Sequence, residues 1–199
     1  MDAATPTIRR PNLRNEGKLR TMSYDWRSRA RLAAVLAVAL MVRLGCAAWW
    51  QHNHVAEGAA FAFPDSDSYW ELGLQLARGE PYEFRTPHRR VFRAPGYPLL
   101  LAASASAFGN NFTPLAARAV GAVVGTLTIG VLYWLARRIY DQRVALWAAT
   151  MGALYPGAVF TSILVLADGL FCALMVVHLS LWLEAQRAKR HRIAWALAA

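Results

Sequence analysis

The chain has 199 residues, of which 56% are hydrophobic and 17% charged, with a formal net charge of +10. That apolar fraction comes in blocks, which excludes an ordinary soluble domain and points to a membrane protein. Nucleic-acid binding is excluded as the reason for the positive charge, because the basic residues flank apolar blocks instead of alternating with aromatics along a surface.

Met1 to Arg31 holds eight Lys or Arg against three acids, with Pro6, Pro11 and Gly17 interspersed. It reads as a disordered, basic cytoplasmic tail over residues 1–31. Leu32 to Trp50 follows, long enough to cross a hydrocarbon core of ~30 Å, which takes about 20 apolar residues. It closes on a tryptophan pair and shows no small-residue cleavage pattern, so it is expected to be an uncleaved anchor. Arg43 in this span is expected to snorkel to the headgroups or reach an anionic ligand. Cys46, with Cys172 further on, is expected to be a small buried hydrophobe.

The segment 51–113 is polar by comparison, with six acids and five arginines. Within it "DSDSYWELGLQLARG" predicts an amphipathic helix from about Ser68 to Arg78, since Tyr69, Leu72 and Leu76 keep helical spacing and Gly79 with Pro81 ends it. Ser68 and Glu71 match a capping box. Asp65 and Asp67 would then precede the helix start, where the dipole favours a carboxylate able to bind a cation or accept a proton. The same pattern is met by aspartates that only cap the helix. His52 and His54 alternate like ligands, but without further His or Cys nearby they read as surface residues. "APGYPLLLAASASAFG", Ala94 to Gly109, is too short to cross and is expected to be an interfacial helix.

Spans are expected at about 115–136, 144–164 and 168–183, with the start of another at 193, where the chain is expected to be truncated. Gly121 and Gly125 carry the spacing that lets membrane helices approach closely. Arg118, at the head of that second span, is expected to snorkel like Arg43. Asp168 lies between apolar segments, where a carboxylate is costly unless it meets a polar cavity, a partner or the exposed turn of a hairpin. With this topology fifteen of the 22 basic residues fall on the cytoplasmic side, as the positive-inside rule requires. Residues 51–113 and Asp168 then share the opposite face. The fold class expected is an all-α, polytopic transmembrane bundle with an extracytoplasmic first loop containing interfacial helices.

The ordered segments "PDSDSYWELGLQLARGEPY", "FRAPGYPLLLAASASAFG", "RAVGAVVGTLTIGVLYWLARRIY" and "ALWAATMGALYPGAVFTSILVLADGLF" resemble the N-terminal part of the C-type membrane glycosyltransferases, in particular their protein mannosyltransferase and aminoarabinose transferase group. The resemblance implies a polyprenyl-phosphate sugar donor, a lipid, glycan or protein acceptor, and inverting transfer on the extracytoplasmic face. Asp65, four residues before Tyr69, matches the family's first-loop aspartate, and Asp168 its acidic residue after the third span. The resemblance thus implies catalytic roles for Asp65 and Asp168, while Asp67, Tyr69, Arg93 and Tyr97 are expected to bind substrate. Where aminoarabinose-type members carry a Glu-Lys pair, this chain reads Arg93-Ala94. That departure leaves open whether a divalent cation sits at Asp65 or Asp168. The chemistry asks for a base toward the incoming hydroxyl and positive charge at the leaving phosphate, which Asp65 and Arg93 can supply, a guanidinium suiting phosphate oxygens. A non-catalytic membrane protein, a transporter piece or a lipid-binding subunit, is the competing reading.

Overall fold

The computed structural model describes residues 13–55, 58–85, 89–90 and 92–187, with side chains described from Trp26 onward except that of Arg89. The first twelve residues of the tail and the span expected from 193 lie outside the described residues. Seven helices make up nearly all the rest: α1 (Leu13–His54), α2 (Pro64–Arg78), α3 (Gly96–Phe108), α4 (Pro114–Ile139), α5 (Gln142–Leu154), α6 (Pro156–Ile163) and α7 (Ala167–Arg187). Two short antiparallel strands, β1 (Glu83–Phe84) and β2 (Arg89–Arg90), pair between α2 and α3. The protein is therefore an all-α membrane bundle.

Among the described residues three helices are long and apolar enough to span: Trp26–His54, Pro114–Ile139 and Ala167–Arg187. The tail expected to be disordered to Arg31 is instead helical from Leu13. Gly17 lies within this helix without ending it, and the Lys18-Leu19-Arg20 run beyond it favours helix and continues toward the span.

The predicted crossing at 144–164 is a broken one. α5 and α6 together pass the length and hydropathy test but meet at an angle of 56°. Pro156 is the cause: it takes the first position of α6, lacks an amide hydrogen and forces Tyr155 into extended backbone. The break frees carbonyls at the end of α5, and Arg43 supplies the missing donors. Its Nη1 donates to Ala153 O and to Ala39 O at 3.1 Å each, and its Nη2 to Gly152 O at 3.4 Å. Arg43 is 1% exposed, so it does not snorkel as expected; non-helical backbone survives in hydrocarbon only where protein donors satisfy it.

Two apolar clusters hold the bundle. At the end remote from α2, Ala145, Ala149 and Ala153 form a stripe along α5 that meets Ala39, Ile129, Tyr133 and Ala136. Alanines at four-residue spacing let α5 lie close to α1 and α4, and close van der Waals packing is what holds helices together in lipid. At the other end Phe61, Tyr97, Leu101, Phe112, Ala117 and Val165 close the base of the loop region. Cys172 is exposed and Cys46 only partly covered, a correction to the buried placement expected for both; a small apolar thiol loses nothing by facing lipid.

Candidate functional site

α2 begins four residues earlier than the sequence pattern predicts. Phe63 is the extended N-cap and Pro64 the first helical residue, a position its fixed φ suits and where no amide hydrogen is missed. Ser68 therefore lies inside the helix and forms no capping box; its Oγ donates to Asp65 O at 2.7 Å. Asp65 and Asp67 occupy the first turn instead of preceding it, still within the favourable field of the helix N-terminus. Gly79, at φ 70° in the left-handed region, ends the helix as expected.

Arg93 arrives from the other side of the loop, 28 residues along the chain. Its Nη2 is ion-paired with Asp65 Oδ1, and its Nε donates to Ser68 Oγ at 3.1 Å. The guanidinium lies 5.0 Å from the Tyr69 ring centroid and 4.8 Å from that of Phe92, cation–π distances. Tyr82 completes the seating by donating its hydroxyl to Arg93 O at 2.9 Å. The Arg93 side chain is 23% exposed and that of Asp65 63%, so the guanidinium is fixed on one side while the carboxylate faces out. Tyr69 meets Tyr97 edge to face at 5.5 Å. Burial pushes the Tyr97 phenol well above its ordinary value; the Arg118 guanidinium opposes that rise and Tyr69 adds to it.

Five of the expected residues are thus placed in or beside one patch: Asp65, Asp67, Tyr69, Arg93 and Tyr97. Asp67 is half-buried next to the pair; its amide donates to Phe63 O at 3.4 Å, and its carboxylate joins none of the described side-chain hydrogen bonds. Asp168 stands apart, exposed in the first turn of α7, but its neighbours Ala167 and Leu170 pack on the cluster that holds Tyr97, as does Tyr69. Among the described residues no three His, Cys, Asp or Glu side chains gather to form a metal centre. His54 stacks on Trp50 at 4.3 Å at the end of α1. Between the C-terminal turns of α2 and α3 lies an open groove of about 350 Å³, lined among others by Arg78, Ser106, Asn110 and Phe112.

Ser68 and Tyr82 were not singled out by the sequence as contacts of Arg93. Ser68 carried a capping signal that concealed its bond, and nothing in "EPYEF" marks Tyr82. Arg118 is 1% exposed, a second arginine that does not snorkel, because Gln51 and the backbone at Ile163 take its donors.

A family model described as dolichyl-phosphate-mannose-protein mannosyltransferase matches residues 92–199, more than half of the chain. The matched stretch includes Arg93, Tyr97 and Asp168 and begins after Asp65, Asp67 and Tyr69. No curated protein and no solved structure matches.

Proposed function

Since the chain belongs to the dolichyl-phosphate-mannose-protein mannosyltransferase family, a family of membrane glycosyltransferases, we propose that it moves a sugar from a polyprenyl-phosphate carrier to a lipid, glycan or protein hydroxyl, with inversion. The transfer takes place on the face that carries residues 51–113, with the N-terminus cytoplasmic and the protein in the plasma membrane. The observation that carries this reading is the Asp65–Arg93 pair, held by Ser68 and flanked by Tyr69.

In the proposed reaction the donor phosphate takes over the Arg93 guanidinium, which suits phosphate oxygens better than a single carboxylate contact does. Asp65 is thereby released and accepts the proton of the acceptor hydroxyl as its oxygen attacks the anomeric carbon. The bond from that carbon to the phosphate oxygen breaks, and the polyprenyl phosphate leaves with its charge opposed by Arg93. Tyr69 and Tyr97 wall the donor, Asp67 supports the helix start, and Asp168 supplies a second carboxylate at the same end of the bundle.

The test is donor turnover by the intact protein in lipid, using a labelled polyprenyl-phosphate sugar. Asp65→Asn should lower kcat by roughly 10²-fold or more, the size of a lost general base. Stability should hardly move, because an exposed ion pair contributes only ~0–1 kcal/mol. Turnover near wild type in Asp65→Asn would remove the base assignment. An intact protein that transfers no sugar from any such carrier would leave the non-catalytic reading standing.

A further inference from the structure

The turn between α6 and α7, residues 164–166, has no polar side chain of its own. Ile163 is 3% exposed, Leu164 5% and Val165 fully buried, so the backbone at the end of α6 is shielded from water at Ile163. Unmet backbone acceptors at a helix end need a donor from elsewhere. For Ile163 O that donor is Arg118, whose Nη1 reaches it at 3.0 Å.

Arg118 does more than close that end. Its Nε donates to Gln51 Oε1 in the last turns of α1 at 2.8 Å. Its guanidinium also lies 5.4 Å from the ring of Phe61, four residues before Asp65. One side chain thus joins the end of the first span, the entry to the loop, the head of α4 and the turn that leads to Asp168.

The backbone around that turn is held against α4 on the same face. Gly121 leaves no room for a β-carbon against the Ser162 carbonyl, and a β-carbon at Gly125 would stand 2.7 Å from Ser162 Cβ. Residues 118, 121 and 125 share one side of a helix, so the arginine and the two glycines form a continuous seat for the end of α6. On the far side Gly169, next to Asp168, sits where a β-carbon would be 3.1 Å from Thr161 O. Asp168 is therefore carried by a segment whose backbone has little freedom along α4, and in which the Ile163 carbonyl is fixed by Arg118.

We infer that Arg118, oriented by Gln51, is a positioning residue that sets where Asp168 stands relative to the patch of Asp65, Tyr69, Arg93 and Tyr97. It touches neither donor nor acceptor and acts through the α6–α7 turn. The inference rests on the proposed glycosyl transfer for its catalytic consequence, but its structural content can be measured without any substrate.

The experiment uses the intact protein in lipid nanodiscs, with Cys46→Ala and Cys172→Ala to remove the native thiols. Spin labels at Arg78→Cys on α2 and Phe171→Cys on α7 report the distance between the loop patch and the first turns of α7. With Arg118 present a single narrow distribution is expected; Arg118→Met should broaden and shift it. Gln51→Leu, which leaves the guanidinium and removes only its orienting partner, should do so to a smaller extent and serves if Arg118→Met does not fold. A distribution unchanged in both variants overturns the inference, whatever the protein is found to catalyse.

Where transfer is measurable, Arg118→Met should lower kcat by about 10- to 100-fold with little change in the donor KM, as a displacement near 1 Å does. Combined with Asp168→Asn the two losses should not add, because both act through the same carboxylate. Fully additive losses would show that Arg118 acts independently of Asp168 and would overturn the assignment.

Discussion

Replacing Arg43 by methionine tests whether one buried guanidinium holds the broken crossing together. Methionine keeps the apolar stem and roughly the volume, so the change isolates the donors. In the wild type one bond at 3.1 Å closes Ala153 O and a longer one at 3.4 Å reaches Gly152 O. Ala39 O, also bonded, lies within α1 and retains its helical partner, so its loss counts for little. A hydrogen bond from a charged donor contributes about 1.5–3 kcal/mol, and a carbonyl left bare in hydrocarbon costs a similar amount. Against this stands relief from burying a cation, which the 1% exposure of Arg43 makes real; its unfolded-in-membrane reference can snorkel, so that relief is about 1 kcal/mol or somewhat more. The balance is a loss of about 2 kcal/mol, or roughly a 30-fold drop in the folded-to-unfolded ratio. The assay is reversible unfolding in mixed micelles titrated with a denaturing detergent, comparing wild type, Arg43→Met and Arg43→Lys. Lysine, with a single ammonium, should recover part of the loss. Equal or greater stability in Arg43→Met would refute the reasoning, since the carbonyls at the break would then be satisfied without the guanidinium.

Two further outcomes are expected. The Tyr97 phenol is raised by burial, so between the ordinary tyrosine value of about 10 and its own higher value the folded protein keeps a proton that the unfolded chain releases. Its stabilising contribution is then complete below about pH 10 and is lost as pH rises further; thermal unfolding between pH 9 and 11 should show a shallower decline in Tyr97→Phe, and parallel curves would remove Tyr97 as the cause. For orientation, cysteines placed at the exposed residues Arg78 and Arg137 should label from opposite sides of the membrane, Arg78 from the non-cytoplasmic side, and labelling of both from one side would break the proposed topology.

Spacing and hydropathy sufficed for much of the architecture because spans are encoded locally. A run of about 20 apolar residues must cross, and a 13-residue one such as α3 cannot. The sequence pattern misplaces the start of α2 for an equally local reason: Ser68 and Glu71 satisfy a capping pattern, but Pro64 offers an earlier start. At the site, Asp65 and Arg93 could each be named from the resemblance and from charge. That they face one another across 28 residues, with Ser68 between them and Tyr82 behind, is a long-range pairing that no periodicity contains.

The two intramembrane arginines mark the division most clearly. By itself the sequence determined that the protein is an all-α membrane bundle with a charged region between its first two spans, since the cost of polar backbone and charge in hydrocarbon leaves few alternatives. The same cost predicts that a lone arginine will snorkel, and for Arg43 and Arg118 it does not. Whether an arginine reaches out to headgroups or turns inward depends on acceptors brought to it by other helices. Those acceptors, the carbonyls of Gly152, Ala153 and Ile163, exist only once Pro156 has broken the third crossing and the bundle has packed around the break.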